Sequence, residues 1–410
     1  MRRNGIVLLA AVAMVATTSP AYGGGTGTRL SNYMASYSAH ASIPAWARKY
    51  NMNCSGCHYP AAPRLNATGI RFRWAGYRMP EEMGEKVDVS QVSNYLAVRG
   101  RMRYEYSKTE SQPVSTSAFT FNDATVFYAG ALGRNFGAFT ELEREPSGEV
   151  ELQANVVGVW GKERSYRGFR AGQMHWLLRD GVAGFDRPTG IRTPNPVNNP
   201  VTAAIPFRFS ADQLGVEGFL VSGRNRLSVE VLNGIQVTGS GDPPDPDTDK
   251  DFAVTDQLLF DNAGSGLTAV GYYGTIKGLD PLASSLRSHF TRFAISANKI
   301  VNRFEVLGGF VYGKDQDLPA AAADVSGMGY WVSGQYMFPK SSLTVFGRYE
   351  FVDPNTDVSD NGSTRVVGGL VFPVGLPEYL RLALEGALDF PQAAAALNRT
   401  GLTAELMLNF

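Results

Sequence analysis

The chain has 410 residues, 44% of them hydrophobic, and a formal net charge of zero from 38 basic and 38 acidic side chains. That balance excludes the basic excess expected of a protein that grips nucleic-acid phosphates. No His-Glu-x-x-His, Gly-x-Ser-x-Gly or phosphate-binding glycine loop indicates a hydrolase or nucleotide enzyme, and His40 and His289 stand outside any such motif.

In chain order, Arg2 and Arg3 precede an uncharged apolar run from Ile6 to Ala16, followed by Ser19-Pro20-Ala21 with small residues where a signal peptidase reads. Residues 1–21 are therefore expected to be a secretory signal peptide, too short to span a bilayer, with cleavage after Ala21. A second small-x-small site, Ala39-His40-Ala41, would require an unusually long leader. The mature chain is expected to work outside the cytoplasm, and residues 22–40 read as a polar linker.

Residues 41–91 carry the chain's only two cysteines, in Cys54-Ser55-Gly56-Cys57-His58. This is the pattern of covalent heme c attachment: two thiols form thioethers to the heme vinyl groups and the adjacent imidazole of His58 reaches the iron. A redox Cys-x-x-Cys, a strained disulfide and chance are the competing readings. A redox pair is expected beside a βαβ pattern, which does not occur here, and export together with the five-residue match favours heme. Upstream, Ser42 can cap a short helix whose face Ile43, Trp46, Ala47 and Tyr50 could pack on a porphyrin or on an ordinary core. From Ala41 to Glu85 there are only about 45 residues, a length at which a hydrophobic core is marginal without outside help. Met79 and Met83 are candidates for the distal iron ligand, as are Met52 and His40 nearby and Met174 and His175 farther along. The residues alone do not choose among them, and the redox potential depends on that choice.

From residue 92 to 410 the pattern changes to segments of about ten residues that alternate apolar and polar, separated by Gly, Asn, Asp, Ser and Pro. Leu380, Leu382, Leu384, Leu388 and Phe390 oppose Arg381, Glu385 and Asp389; Val345, Tyr349 and Phe351 oppose Thr344, Arg348 and Glu350; Leu227, Val229 and Val231 oppose Ser228 and Glu230. The fold class expected is all-β, an antiparallel transmembrane β-barrel, apolar outside and polar inside, of about sixteen strands. Their starts are expected near Tyr95, Ala118, Asn135, Glu149, Ser165, Phe207, Asn225, Phe252, Ser265, Ser288, Val301, Ser326, Ser341, Thr364, Glu378 and Gly401. Long connections follow the odd strands, among them one from Asp180 to Pro206, and short turns follow the even ones. Short turns are periplasmic and long loops external in such barrels, so the heme segment is expected on the periplasmic side or as a plug within the lumen. The acidic loop from Asp242 to Asp251 is either a solvated loop or an attractor of a hard cation such as ferrous iron.

The run from Ile43 to Tyr59, then Pro63-Arg64-Leu65-Asn66 and Gly69-Ile70-Arg71-Phe72, resembles the opening of outer-membrane cytochrome-porin fusions implicated in iron(II) oxidation. The terminal Phe410 likewise resembles the assembly signal of outer-membrane barrels. The resemblance implies a porin-like barrel holding a monoheme cytochrome plug that takes electrons from an extracellular donor, Fe(II), and hands them to periplasmic cytochromes. Cys54, Cys57 and His58 carry over as the heme-binding residues; no distal ligand does. A diffusion porin with a gating or structural heme segment, and an outward-directed reductase, are the alternatives.

Overall fold

Strands that alternate apolar and polar residues can face lipid only if no edge is left open, because unpaired backbone groups are not tolerated in hydrocarbon. The computed structural model describes residues 45–59, 64–112, 114–175, 181–183, 189–234, 248–277, 287–318, 324–339, 341, 343–374, 380–393 and 396–409. Sixteen strands among them close into one antiparallel barrel. They are β1 (Leu96–Thr109), β2 (Thr116–Ala131), β3 (Phe136–Arg144), β4 (Val150–Lys162), β5 (Ser165–His175), β6 (Asp212–Ser222), β7 (Asn225–Leu232) and β8 (Asp251–Leu259). Then follow β9 (Gly266–Lys277), β10 (Arg287–Val301), β11 (Phe304–Gln316), β12 (Val325–Met337), β13 (Thr344–Asp353), β14 (Ser363–Val374), β15 (Leu380–Pro391) and β16 (Arg399–Asn409). Each strand pairs with its sequence neighbour, and β1 closes on β16 through a register from Arg99↔Asn409 to Thr109↔Arg399.

The alternation read from the sequence is the alternation of the wall. Leu384 is 45% exposed on the outside while neighbouring Glu385 is 2% exposed within. Leu227, Val229 and Val231 face out, and Ser228 and Glu230 face in. Charges on the inner face pair with one another: Arg170 with Glu217 at 2.9 Å, Arg226 with Glu217 at 2.8 Å and Arg348 with Glu350 at 2.6 Å. The apolar exterior is the band a transmembrane barrel presents to lipid.

The expected strand starts lie within three residues of those observed, with one exception. Phe207, expected to open the sixth strand, lies before it; β6 begins at Asp212. The long connection ahead of it was expected to be an external loop, but its described parts, residues 181–183 and 189–211, fold inward. It includes one short helix, α3 (Asn195–Asn198). Val197, Val201, Ile205, Phe207 and Phe209 are buried against Tyr272, Phe290, Ala294, Leu307, Val311 and Trp331 of the inner wall. The Phe207 ring lies tilted against that of Tyr272, with centroids 4.5 Å apart. The physical reason is that this connection is too apolar to remain in water, each such side chain gaining roughly 1.5–3 kcal/mol on burial. Its backbone donors need partners as well. Glu385 accepts from Ile191 N–H at 2.7 Å, Glu350 from Asn195 N–H at 2.7 Å and Asp315 from Ile205 N–H at 2.9 Å. The inner wall is thus not uniformly polar, as the simple pattern required.

Asp315 also accepts from Thr202 Oγ1 at 2.6 Å and pairs with Arg292 at 2.7 Å. Replacing Asp315 by Ala leaves Arg292 buried without its carboxylate, a loss of about 3–5 kcal/mol. The expected outcome is release of the infolded segment, seen as new protease cleavage between residues 189 and 211 while the barrel stays heat-modifiable; an unchanged digestion pattern would refute this anchoring.

Candidate functional site

The C-x-x-C-H loop is shaped by its neighbours in sequence. Helix α1 (Ala45–Tyr50) ends at Asn51, whose left-handed φ of 48° is one that Asn adopts more readily than most residues. Met52 N–H closes the end on Ala47 O at 3.0 Å, the wrap of a helix C-terminal motif. Residues 54–56 then form one 3₁₀ turn, with Cys57 N–H on Cys54 O at 3.1 Å and His58 N–H on the same oxygen at 2.9 Å. Residues three apart in such a turn eclipse one another, which sets the two thiols on one side of it. Cys54 and Cys57 are not joined in a disulfide.

Asn66 grips this loop. Its N–H donates to Cys57 O at 2.9 Å, and its Nδ2 donates to Ser55 O and Gly56 O, both at 3.1 Å. Its Oδ1 caps helix α2 (Ala67–Trp74) by accepting from Thr68 N–H at 2.9 Å and Gly69 N–H at 3.1 Å. Gly69 must lack a Cβ, because one would overlap Cys57 O. His58 bridges Leu65 in an antiparallel pair, and its Nδ1 lies 3.0 Å from Arg64 O. A carbonyl can only accept, so Nδ1 donates, which in a neutral imidazole puts the lone pair on Nε2.

The same segment is fastened to the inner wall. Ile70, Phe72, Trp74 and Tyr77 pack with Val157 and Val159 of β4, Tyr166 of β5, Phe219 and Val221 of β6 and Leu259 of β8. Trp74 Nε1 donates to Gln257 at 3.1 Å, Tyr77 OH donates to Asn155 at 3.2 Å and Arg64 pairs with Glu305 of β11. Arg78, fully buried, donates to the carbonyls of Gly133, Arg134 and Phe136 at the β2–β3 turn, at 2.9, 2.6 and 2.6 Å. At Gly137 a Cβ would overlap Gly76 O, so wall and segment meet backbone to backbone.

Above the loop lies a cavity of about 680 Å³ lined by Cys57 and His58, within the roughly 300–1,000 Å³ usual for cofactor sites. Trp46, Leu65, Phe72, Tyr77, Phe127 and Phe139 form its aromatic and apolar part. The rings continue one another: Trp46 meets Phe72 at 4.8 Å, Tyr77 meets Phe139 at 5.6 Å and Phe139 meets Phe127 at 5.9 Å. Arg99 then lies over Phe127 at 5.0 Å, opening a charged region with Arg101, Arg103, Glu141, Glu143 and Glu151. Arg192 and Asn195 of the infolded segment also line it. An apolar ring system carrying charged groups on one edge, as heme does, fits this donor set and this gradient.

Burial pushes the Cys57 thiol up to about 11. A redox or nucleophilic cysteine needs the opposite shift, which weakens the redox reading. Met79 and Met83 are partly buried among the apolar residues of the docked segment and do not line the cavity. Met52 Sδ lies 3.8 Å from Cys57 Sγ. Met174 and His175 end β5, in register with Gln213 and Asp212, while His40 and the leader and linker lie outside the described residues. Of the acidic loop, residues 242–247 also lie outside. Asp249 pairs with Lys277 at 3.1 Å and Arg287 at 3.2 Å, and buried Asp251 accepts from Thr275 N–H at 3.0 Å. Among the described residues no three His, Cys, Asp or Glu side chains gather as a metal site. Asn66 is the functional residue that spacing did not single out, although Asn directly before a helix is a capping signal.

No protein-family model and no curated protein matches the chain. Solved structures do, at the level of fold. An anion-selective porin from Comamonas acidovorans superposes with a TM-score of 0.58 at 12% identity, covering 77% of this chain and 98% of the porin. OmpT, an outer membrane protein of Vibrio cholerae, follows with 0.54 at 10% identity, covering 77% and 97%. The outer membrane channel DcaP of Acinetobacter baumannii gives 0.50 at 13% identity, covering 77% and 96%. The chain thus has a porin-type sixteen-stranded barrel.

Substituting Asn66 by Ala removes the cap and the grip on the C-x-x-C-H loop, at a cost of about 1 kcal/mol for the cap alone. Expected is less heme stain per folded barrel in a periplasm-exported preparation; equal staining would show that Asn66 does not shape the loop.

Proposed function

We propose that the chain is an outer-membrane electron conduit in which heme c, joined to Cys54 and Cys57 and ligated by His58, sits in the lumen of the barrel. The observation that carries this reading is the opening of Cys57 and His58 onto a cavity of about 680 Å³ between docked segment and wall, with His58 oriented by Arg64 O. Bound there, the heme supplies a one-electron centre between the two mouths. The chain's own residues hold it: Asn66 fixes the attachment loop, Trp46, Phe72 and Phe139 keep water from the ring, and Arg78 and Arg64 tie the segment to the wall. The apolar belt and the outer-membrane proteins that share the fold support the location. The segment docks at the short-turn end, which is periplasmic in such barrels, so the acceptor is a periplasmic cytochrome. Resemblance to the iron-oxidising fusions supports an extracellular donor such as Fe(II). The engaged carboxylates Asp249 and Asp251 add little to that choice.

A second reading is a diffusion porin whose heme segment is structural, and the porins and the channel that share the fold favour it. Liposomes holding an interior electron acceptor, supplied outside with ferrous iron, separate the two. The conduit reading expects interior reduction by wild type, abolished along with the heme stain in a Cys54→Ala, Cys57→Ala double variant, and low solute conductance in both. High conductance in the wild type with no interior reduction would establish the porin instead.

A further inference from the structure

We propose that Glu305 on the barrel wall is a positioning residue for His58, acting through Arg64, so that the wall itself sets the potential of the heme. This rests on the heme reading above. Glu305 is fully buried on β11, where Asn298 Nδ2 donates to it at 2.6 Å and Gln335 also donates to it. The remaining partner is Arg64, 241 residues away in sequence, itself only 8% exposed. The carbonyl of that same residue accepts from His58 Nδ1 at 3.0 Å and from Tyr59 N–H at 3.1 Å. Residue 64 is therefore held at both ends, its guanidinium by the wall and its carbonyl by the iron-binding histidine.

The consequence for the iron follows from the direction of the hydrogen bond. An imidazole that donates from Nδ1 becomes more electron-rich at Nε2, which favours ferric over ferrous iron. Without the Glu305 carboxylate, the Arg64 guanidinium is buried and uncompensated and must seek another acceptor, drawing its carbonyl from His58. Weakening that bond and leaving a positive charge nearby both favour the ferrous form. The potential rises on either account.

The test is a redox titration of the heme absorbance in detergent-purified wild type, Glu305→Gln, the milder Gln335→Leu, which removes one donor to Glu305, and Gln257→Met. The last severs the Trp74 bond to the wall without touching residues 64–66. Glu305→Gln is expected to shift the ferrous/ferric equilibrium upward by about tenfold, ~59 mV for one electron. Gln335→Leu, which keeps the carboxylate but alters its hold on Arg64, should move it less, and Gln257→Met should leave it at the wild-type value. Holo wild type with Glu305→Gln and Gln335→Leu both unmoved, or Gln257→Met moving equally, overturns the positioning role while leaving the heme reading intact. Wild type without heme absorbance ends the heme reading, and this inference with it.

Discussion

A segment of some tens of residues does not carry enough apolar surface to form a stable core alone, and the packing inside the barrel answers that constraint. The enclosed surface that the segment meets is the inside of the barrel, which an alternating strand pattern makes polar. The wall resolves the conflict locally. Val157, Val159, Phe219, Val221 and Leu259 replace charges on the inner face where Ile70, Phe72, Trp74 and Tyr77 dock, and each large side chain so buried contributes roughly 1.5–3 kcal/mol. On other stretches, as at Arg170, Glu217 and Arg226 or at Arg348 and Glu350, the inner face keeps its charges and pairs them.

A second apolar patch on the inner wall, around Tyr272, Phe290 and Trp331, receives the infolded segment before β6. Two pieces of chain from outside the strand pattern thus occupy the lumen, and the cavity at Cys57 and His58 lies where wall, docked segment and infolded segment meet. Its aromatic part grades into the Arg99, Arg101 and Arg103 row of β1, so apolar and charged chemistry are offered side by side.

The strands were legible because their period of two leaves a mark at every position: Leu384 outside and Glu385 inside can be read from either residue's neighbours. The C-x-x-C-H motif could be picked out because Cys54, Cys57 and His58 are local in sequence. The infolded segment was misread for the reason that makes it fold inward. Phe207 and Phe209 alternate with polar residues as a strand would, and nothing in a period of two reports which side of a wall an apolar run seeks. The partnership of Arg64 with Glu305 was invisible for another reason: a pairing across 241 residues has no local signature. The methionines show the limit of composition, since Met79 and Met83 serve as flexible filler within the docked segment's apolar cluster.

The span of the docking contacts bears on how the molecule is put together. Trp74 reaches Gln257 across 183 residues and Arg64 reaches Glu305 across 241, while Arg78 grasps the turn between β2 and β3. Contacts this distant in sequence form late, because the entropy of closing such long loops is lost before the contacts return it. The amino-terminal segment therefore cannot seat until strands as far along as β11 are in place. Docking the segment and completing the surroundings of His58 thus become a single late event that follows the strands holding both.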